Sequence, residues 1–144
     1  MASKSKSFPG FSGRPGRDPA QEHLKLLLEL LGNIGEVLWL RDLKEERLLY
    51  VSPAFATIWG RSVETLLNSP RVWIESIHPA DRDRVLSAAL NEARSAHDRL
   101  EYRVVRPDKS VRWVYDRSYP VRNAQGEIYR QAGVVEDITE QRSR

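Results

Sequence analysis

Residues 99–138 spell three strands in succession, and no other stretch narrows the fold as much. Residues 99–106 alternate Leu100, Tyr102 and Val104 against Glu101 and Arg103, the period of two that a half-buried strand requires. Pro107-Asp108-Lys109-Ser110 is a turn signal. Residues 111–119 alternate again, with Trp113, Tyr115 and Tyr119 on one face, and Trp113 is expected to be buried there. Asn123-Ala124-Gln125-Gly126 is a second turn, and residues 127–138 form the last strand.

A second hairpin lies upstream. Residues 36–41 and 47–52 are apolar runs joined by the charged turn Asp42-Leu43-Lys44-Glu45-Glu46. Between the hairpins the period changes from strand to helix. Residues 53–59 stop at Gly60, residues 62–67 start on the N-cap Ser62, and residues 71–77 form a short apolar segment. Residues 79–95 make the longest helix of this block. His78 is its N-cap, Pro79 its first residue, and Val85, Leu86, Ala89, Leu90 and Ala93 its buried stripe. Two hairpins around a helical block imply an α+β fold, a five-stranded antiparallel sheet with the helices on one face.

A leading amphipathic helix spans residues 20–33. Asp18 is its N-cap, Gly32-Asn33 its stop, and Leu24, Leu27, Leu28 and Leu31 fall at helical spacing, with Leu26 and Leu30 widening the stripe. Six leucines exceed the three or four per two turns that one packed face needs. The first four are therefore assigned to a homodimer contact, with packing on the chain's own sheet as the alternative. Residues 1–19 are rich in Ser, Gly, Pro and charge and are read as a disordered leader.

Charge and composition exclude several classes. Residues 1–20 carry a net +3 and the remainder nets to zero, 19 basic against 19 acidic side chains, so direct nucleic-acid binding is not expected. The absence of cysteine removes disulfides, thiolate metal sites and cysteine nucleophiles, and fits a cytoplasmic location. No apolar run reaches the roughly 20 residues of a membrane span. His23, His78 and His97 form no spaced metal-ligand set with carboxylates, and no glycine-rich phosphate loop is present. Glu45-Glu46 and Asp81-Arg82-Asp83 read as solvated charge on turns and helix starts. No catalytic constellation emerges.

Five segments, in this order and spacing, resemble the PAS family in the subtype with a C-terminal PAC segment. They are Trp39; Tyr50-Val51-Ser52-Pro53-Ala54-Phe55; Ile77-His78-Pro79-Ala80-Asp81-Arg82; Val111-Arg112-Trp113 with Gly126 and Ile128; and Asp137-Ile138-Thr139. The resemblance places the PAS/PAC domain at residues 34–140 and the start of an exit linker at residues 141–144. Ser52 stands where the family often has asparagine, and its hydroxyl is expected to cap the following helix.

The resemblance implies a sensory or interaction module of the kind found ahead of histidine kinases and diguanylate cyclases. It would bind a ligand or partner and pass a conformational signal through Asp137, Ile138 and Thr139, with Thr139 capping the exit helix. Because little follows that exit, the expected effector is a separate kinase or regulator, or the chain is a truncated kinase input domain. Haem is disfavoured by the lack of histidine between Val85 and Ala93, and cysteinyl flavin by the lack of cysteine. A non-covalent flavin or a small metabolite is compatible. The pocket candidates are Trp39, Phe55, Trp59, Trp73, Leu86, Leu90, Tyr102, Val104 and Trp113. The same aromatic residues could instead fill a core with no cavity, and the filled core is the default expectation.

Overall fold

Short-range signals set the element ends. In the computed structural model, which describes residues 18–92 and 99–143, Asp18 Oδ1 accepts the Ala20 amide at 3.0 Å and opens α1 (Pro19–Asn33). The chain divides into two units after Asn33. In the first, α1 has no buried residue, and Leu24, Leu26, Leu27, Leu28 and Leu30 are all exposed.

In the second unit, β1 (Val37–Asp42) turns into β2 (Arg47–Val51) where Asp42 Oδ2 accepts the Glu45 amide at 2.8 Å. Four helices follow: α2 (Ala54–Trp59), α3 (Val63–Asn68), α4 (Arg71–Ser76) and α5 (Pro79–Glu92). Gly60 ends α2 at φ 68°, a left-handed conformation that glycine adopts without Cβ strain. Ser62 Oγ accepts the Thr65 amide and starts α3. His78 Nδ1 accepts the Ala80 amide at 3.0 Å and starts α5. The chain then runs through β3 (Arg99–Val105), β4 (Val111–Arg122), β5 (Ile128–Asp137) and the single turn α6 (Thr139–Arg142).

The five strands form one antiparallel sheet in the order β2-β1-β5-β4-β3. This is the α+β architecture expected from the two hairpins. The core lies between one sheet face and the helices: Val37, Val51, Tyr102, Val104, Val114 and Val135 from strands meet Phe55, Ile58, Trp59, Leu66 and Val85 from helices.

Four details depart from the sequence reading. First, Trp113 lies on the outer face of the sheet. Along β4 the buried positions are Val114, Asp116 and Ser118, and the core residue Tyr102 pairs with Val114. Trp113, Tyr115 and Tyr119 do share a face, but it is the other one. Second, β4 continues past Pro120 to Arg122. Pro120 lies opposite Gln131 of β5 in this strand.

Third, the Ser52 hydroxyl does not cap α2, whose N-cap is Pro53. Ser52 Oγ accepts the Leu38 amide at 2.8 Å and Ser52 N donates to Leu38 O, tying the start of the helical block to β1. Fourth, Asp81 is not solvated. It is buried and bound in bidentate fashion by Arg103. On α5, Val85 is buried as expected, whereas Leu86 is 38% exposed. The side chain of Leu90, Ala93, His97 and residues 1–17 lie outside the described residues.

Candidate functional site

Beside the packed core a cavity of about 320 Å³ lies between the inner sheet face and the helices, within the size range of small-molecule sites. The aromatic candidates thus border a cavity as well as filling a core. Four large rings surround it, each held by a local contact. Phe55 and Trp59, one turn apart on α2, stack at 4.9 Å. Trp73 on α4 is fixed by its indole N–H, which donates to the Tyr102 hydroxyl at 3.1 Å. Trp39 on β1 lies flat across Gly133 of β5, its Cα partner in the sheet, where any Cβ would fall inside the indole ring.

Of the pocket candidates, Trp39, Phe55, Trp59, Trp73 and Leu86 line the cavity. Leu86 sits at its rim, as its exposure requires. Tyr102 and Val104 are fully buried but are not lining residues. Trp113 is on the far side of the sheet. Leu90 lies outside the described side chains.

The polar members of the wall were not anticipated. Asp116 and Gln131 are buried and line the cavity, and Arg41 and Glu46 line it as well. Tyr102 Oη donates to Asp116 Oδ2 at 2.7 Å, and the Trp39 indole also hydrogen-bonds this carboxyl. Burial outweighs both bonds and pushes the Asp116 pKa up to about 6. The Trp59 indole N–H is buried and has no partner among the described residues, an unmet donor in the wall. The signal for Asp116 was in the sequence. It stands two residues from Val114 and two from Ser118, a charge on what the register makes the core face. Trp113, Tyr115 and Tyr119 make the opposite face of β4 the more apolar one, which hides that signal.

A second cluster joins the helices to the exit. Asp81, at the start of α5, accepts Arg103 Nε and Nη2 at 2.9 and 2.8 Å and the Arg103 amide at 2.9 Å. The Arg103 hydrogen bonds hold the Asp81 pKa down to about 2. The Arg103 guanidinium lies 5.2 Å from the Trp113 ring, and Arg142 of α6 lies 3.7 Å from the same ring while its Nη1 donates to Glu101 at 3.0 Å. Trp113 thus sits between two arginines, one tied to α5 and one on the exit turn.

The exit is latched to β4 on both sides of Ile138. Ile138 N donates to Trp113 O, and Thr139 Oγ1 accepts the Trp113 amide at 2.9 Å. Thr139 does not cap α6. That contact is made by Asp137, whose Oδ1 accepts the Thr139 amide at 3.0 Å and its hydroxyl at 2.6 Å, while Oδ2 accepts Arg112 Nε at 2.8 Å. Burial raises the Asp137 pKa, but the Thr139 and Arg112 bonds prevail and lower it. Among the described residues no helix is long and apolar enough to cross a membrane, and no group of His, Asp or Glu is placed to hold a metal ion.

Known proteins share this architecture. A domain described as that of a light and redox sensing histidine kinase from Haloarcula marismortui is 30% identical, with a TM-score of 0.62 over 80% of this chain and 99% of that one. The sensory box histidine kinase/response regulator of Burkholderia thailandensis E264 is 29% identical, with a TM-score of 0.58 over 84% and 88%. The N-terminal domain of a diguanylate cyclase with a PAS/PAC sensor from Marinobacter aquaeolei, at 20% identity, has a TM-score of 0.64 over 74% and 98% and shares the fold. No curated protein matches the chain. The sequence model of the family described as the PAS fold matches residues 48–135, from β2 through the helices and cavity wall to β5. With sheet order, helical block and 30% identity to a kinase sensor domain in agreement, the chain belongs to the PAS family and carries a sensory module of signal transduction.

Proposed function

We propose that this PAS module senses a small molecule held in the cavity and passes the signal through α5 and the Asp137-Ile138-Thr139 exit to a kinase or other regulator. The observation that carries this is the cavity wall. It combines four aromatic rings with a buried carboxyl and a buried indole N–H that, among the described residues, lack a cationic partner and an acceptor respectively. A protein with no ligand to satisfy would gain stability by filling that space. Leu86 and Ala89 put α5 in the wall, and Asp81 ties the start of α5 to Arg103, Trp113 and Arg142. A ligand that favours one seat of α5 would bias the exit turn by population shift.

The exposed leucines of α1, with Leu24, Leu27 and Leu28 near or above half exposure, support a homodimer built on that helix. Native mass spectrometry of freshly purified protein tests ligand and dimer together. The expected spectrum is a dimer with a bound small molecule, and a flavin would add visible absorbance. A monomer at high micromolar concentration would remove the α1 assignment. For the exit, the module fused to a kinase reporter is expected to lose regulation with Asp137→Ala or Thr139→Ala. Unchanged regulation in both variants would refute the relay.

A further inference from the structure

We propose that the cavity takes an organic cation, a protonated amine or quaternary ammonium on an apolar body, with its charge facing Asp116 inside a cage of aromatic rings. This rests on the cavity being the sensory site and adds the chemical class it accepts. The first support is the distribution of cation–π contacts. Those among the described residues lie on other rings: Arg103 and Arg142 on Trp113, Arg117 on Tyr115, and Arg130 on Tyr129. Among the described residues no Arg or Lys covers Trp39, Phe55, Trp59 or Trp73. These four rings, whose faces attract cations, are the ones that line the cavity.

The second support is Asp116. Asp81, the other buried carboxylate, is saturated by Arg103. Asp116 is held only by neutral donors, the Tyr102 hydroxyl and the Trp39 indole, and no ion pair is made to it among the described residues. Arg41 cannot serve. It pairs with Gln131 on β5, whereas Asp116 pairs with Val135. Those positions are four residues apart, about 13 Å along the strand, with Trp39 on Gly133 between them. A buried carboxylate without a counter-charge is costly. A ligand cation would supply that charge, and aromatic rings form the rest of its shell.

The test is calorimetric titration of the full chain with three probes of similar shape: 2-phenylethylammonium, the neutral 2-phenylethanol and anionic phenylacetate. At neutral pH the ammonium is expected to bind at least tenfold tighter than the alcohol, and phenylacetate more weakly than either. Asp116→Asn keeps an acceptor for Tyr102 and is expected to reduce the ammonium to the level of the alcohol, leaving the alcohol within about twofold, an unpaired charge in the site being the only change. A second arm keeps the wild-type protein. Between about pH 5 and pH 7.5 the ammonium should tighten about tenfold as Asp116 ionises, while the alcohol stays flat. Among the described residues the charged and titratable groups facing Asp116 or lining the cavity are Tyr102, Arg41 and Glu46, and loss of the profile in Asp116→Asn assigns it to Asp116. If the alcohol or phenylacetate binds as tightly as the ammonium, the cation assignment is overturned while the cavity stands as a ligand site. If none of the three binds, both are overturned.

Discussion

Among the described residues two carboxylates are buried, Asp81 and Asp116, and they live in opposite electrostatic worlds. At the α5–β3 corner Asp81 meets a guanidinium and a backbone amide, and its charge is fully answered from within the chain. In the cavity wall Asp116 meets a phenol and an indole, and its charge is not answered. The first pKa is drawn down to about 2 and the second pushed up to about 6. A closed site of the first kind holds parts of a fold in register. An open site of the second kind is destabilising by itself and has reason to exist only if something else completes it.

The largest effect expected from this contrast is at the corner. Arg103→Ala leaves the Asp81 carboxylate without its main partner and should be the most destabilising of these changes in urea melts at neutral pH. A loss below about 1 kcal/mol would mean that the corner is no more closed than the cavity.

The next is of opposite sign. The raised Asp116 pKa means that its stabilising contribution is present below the unfolded value of 3.8 and is lost as pH rises through about 6. Asp116→Asn should therefore stabilise the ligand-free protein above pH 7 by up to about 3 kcal/mol, and progressively less toward pH 4. Asp81 runs the other way: its contribution is present above 3.8 and is lost as pH falls through about 2. Melts across that range separate the two, and a pH-independent gain at position 116 would sink the contrast.

A smaller effect probes the cavity wall. Gly133→Ala places a methyl group inside the Trp39 ring, and overpacking of this kind should cost about 1–3 kcal/mol. Because Trp39 must move, its fluorescence should shift and ligand affinity should fall together. An unperturbed Trp39 signal would mean that the ring is not held on Gly133.

The smallest is on the outer face. Trp113→Ala removes two cation–π contacts and a half-buried ring, and about 1–2 kcal/mol is expected, short of the roughly 3–5 typical of a core tryptophan. A core-sized loss would put Trp113 on the same footing as the cavity rings.

Most of the fold was legible because its signals are local. The Asp18, Ser62 and His78 caps, the stop at Gly60 and the turns at residues 42–46, 107–110 and 123–126 all act over two to five residues. Four of the nine cavity candidates, Trp39, Phe55, Trp59 and Trp73, line the cavity because large aromatic residues in the β1 strand and the helical block have few places to go. Asp116 and Gln131 were not, since a polar residue on a strand announces burial only when the inward face is known.

Element order, hairpin pairing and family follow from short-range periodicity and turn chemistry. Which face of β4 looks inward is set by contacts distant in the chain. A period of two says which residues share a face and is silent on which face is buried when both carry apolar groups; here the pairing of Tyr102 with Val114 settles it. The same long-range contacts decided that Asp81 meets Arg103, 22 residues away, and that Asp116 meets no cation among the described residues. They also seat Trp39 on Gly133, so that the rings enclose a space that composition alone would have filled.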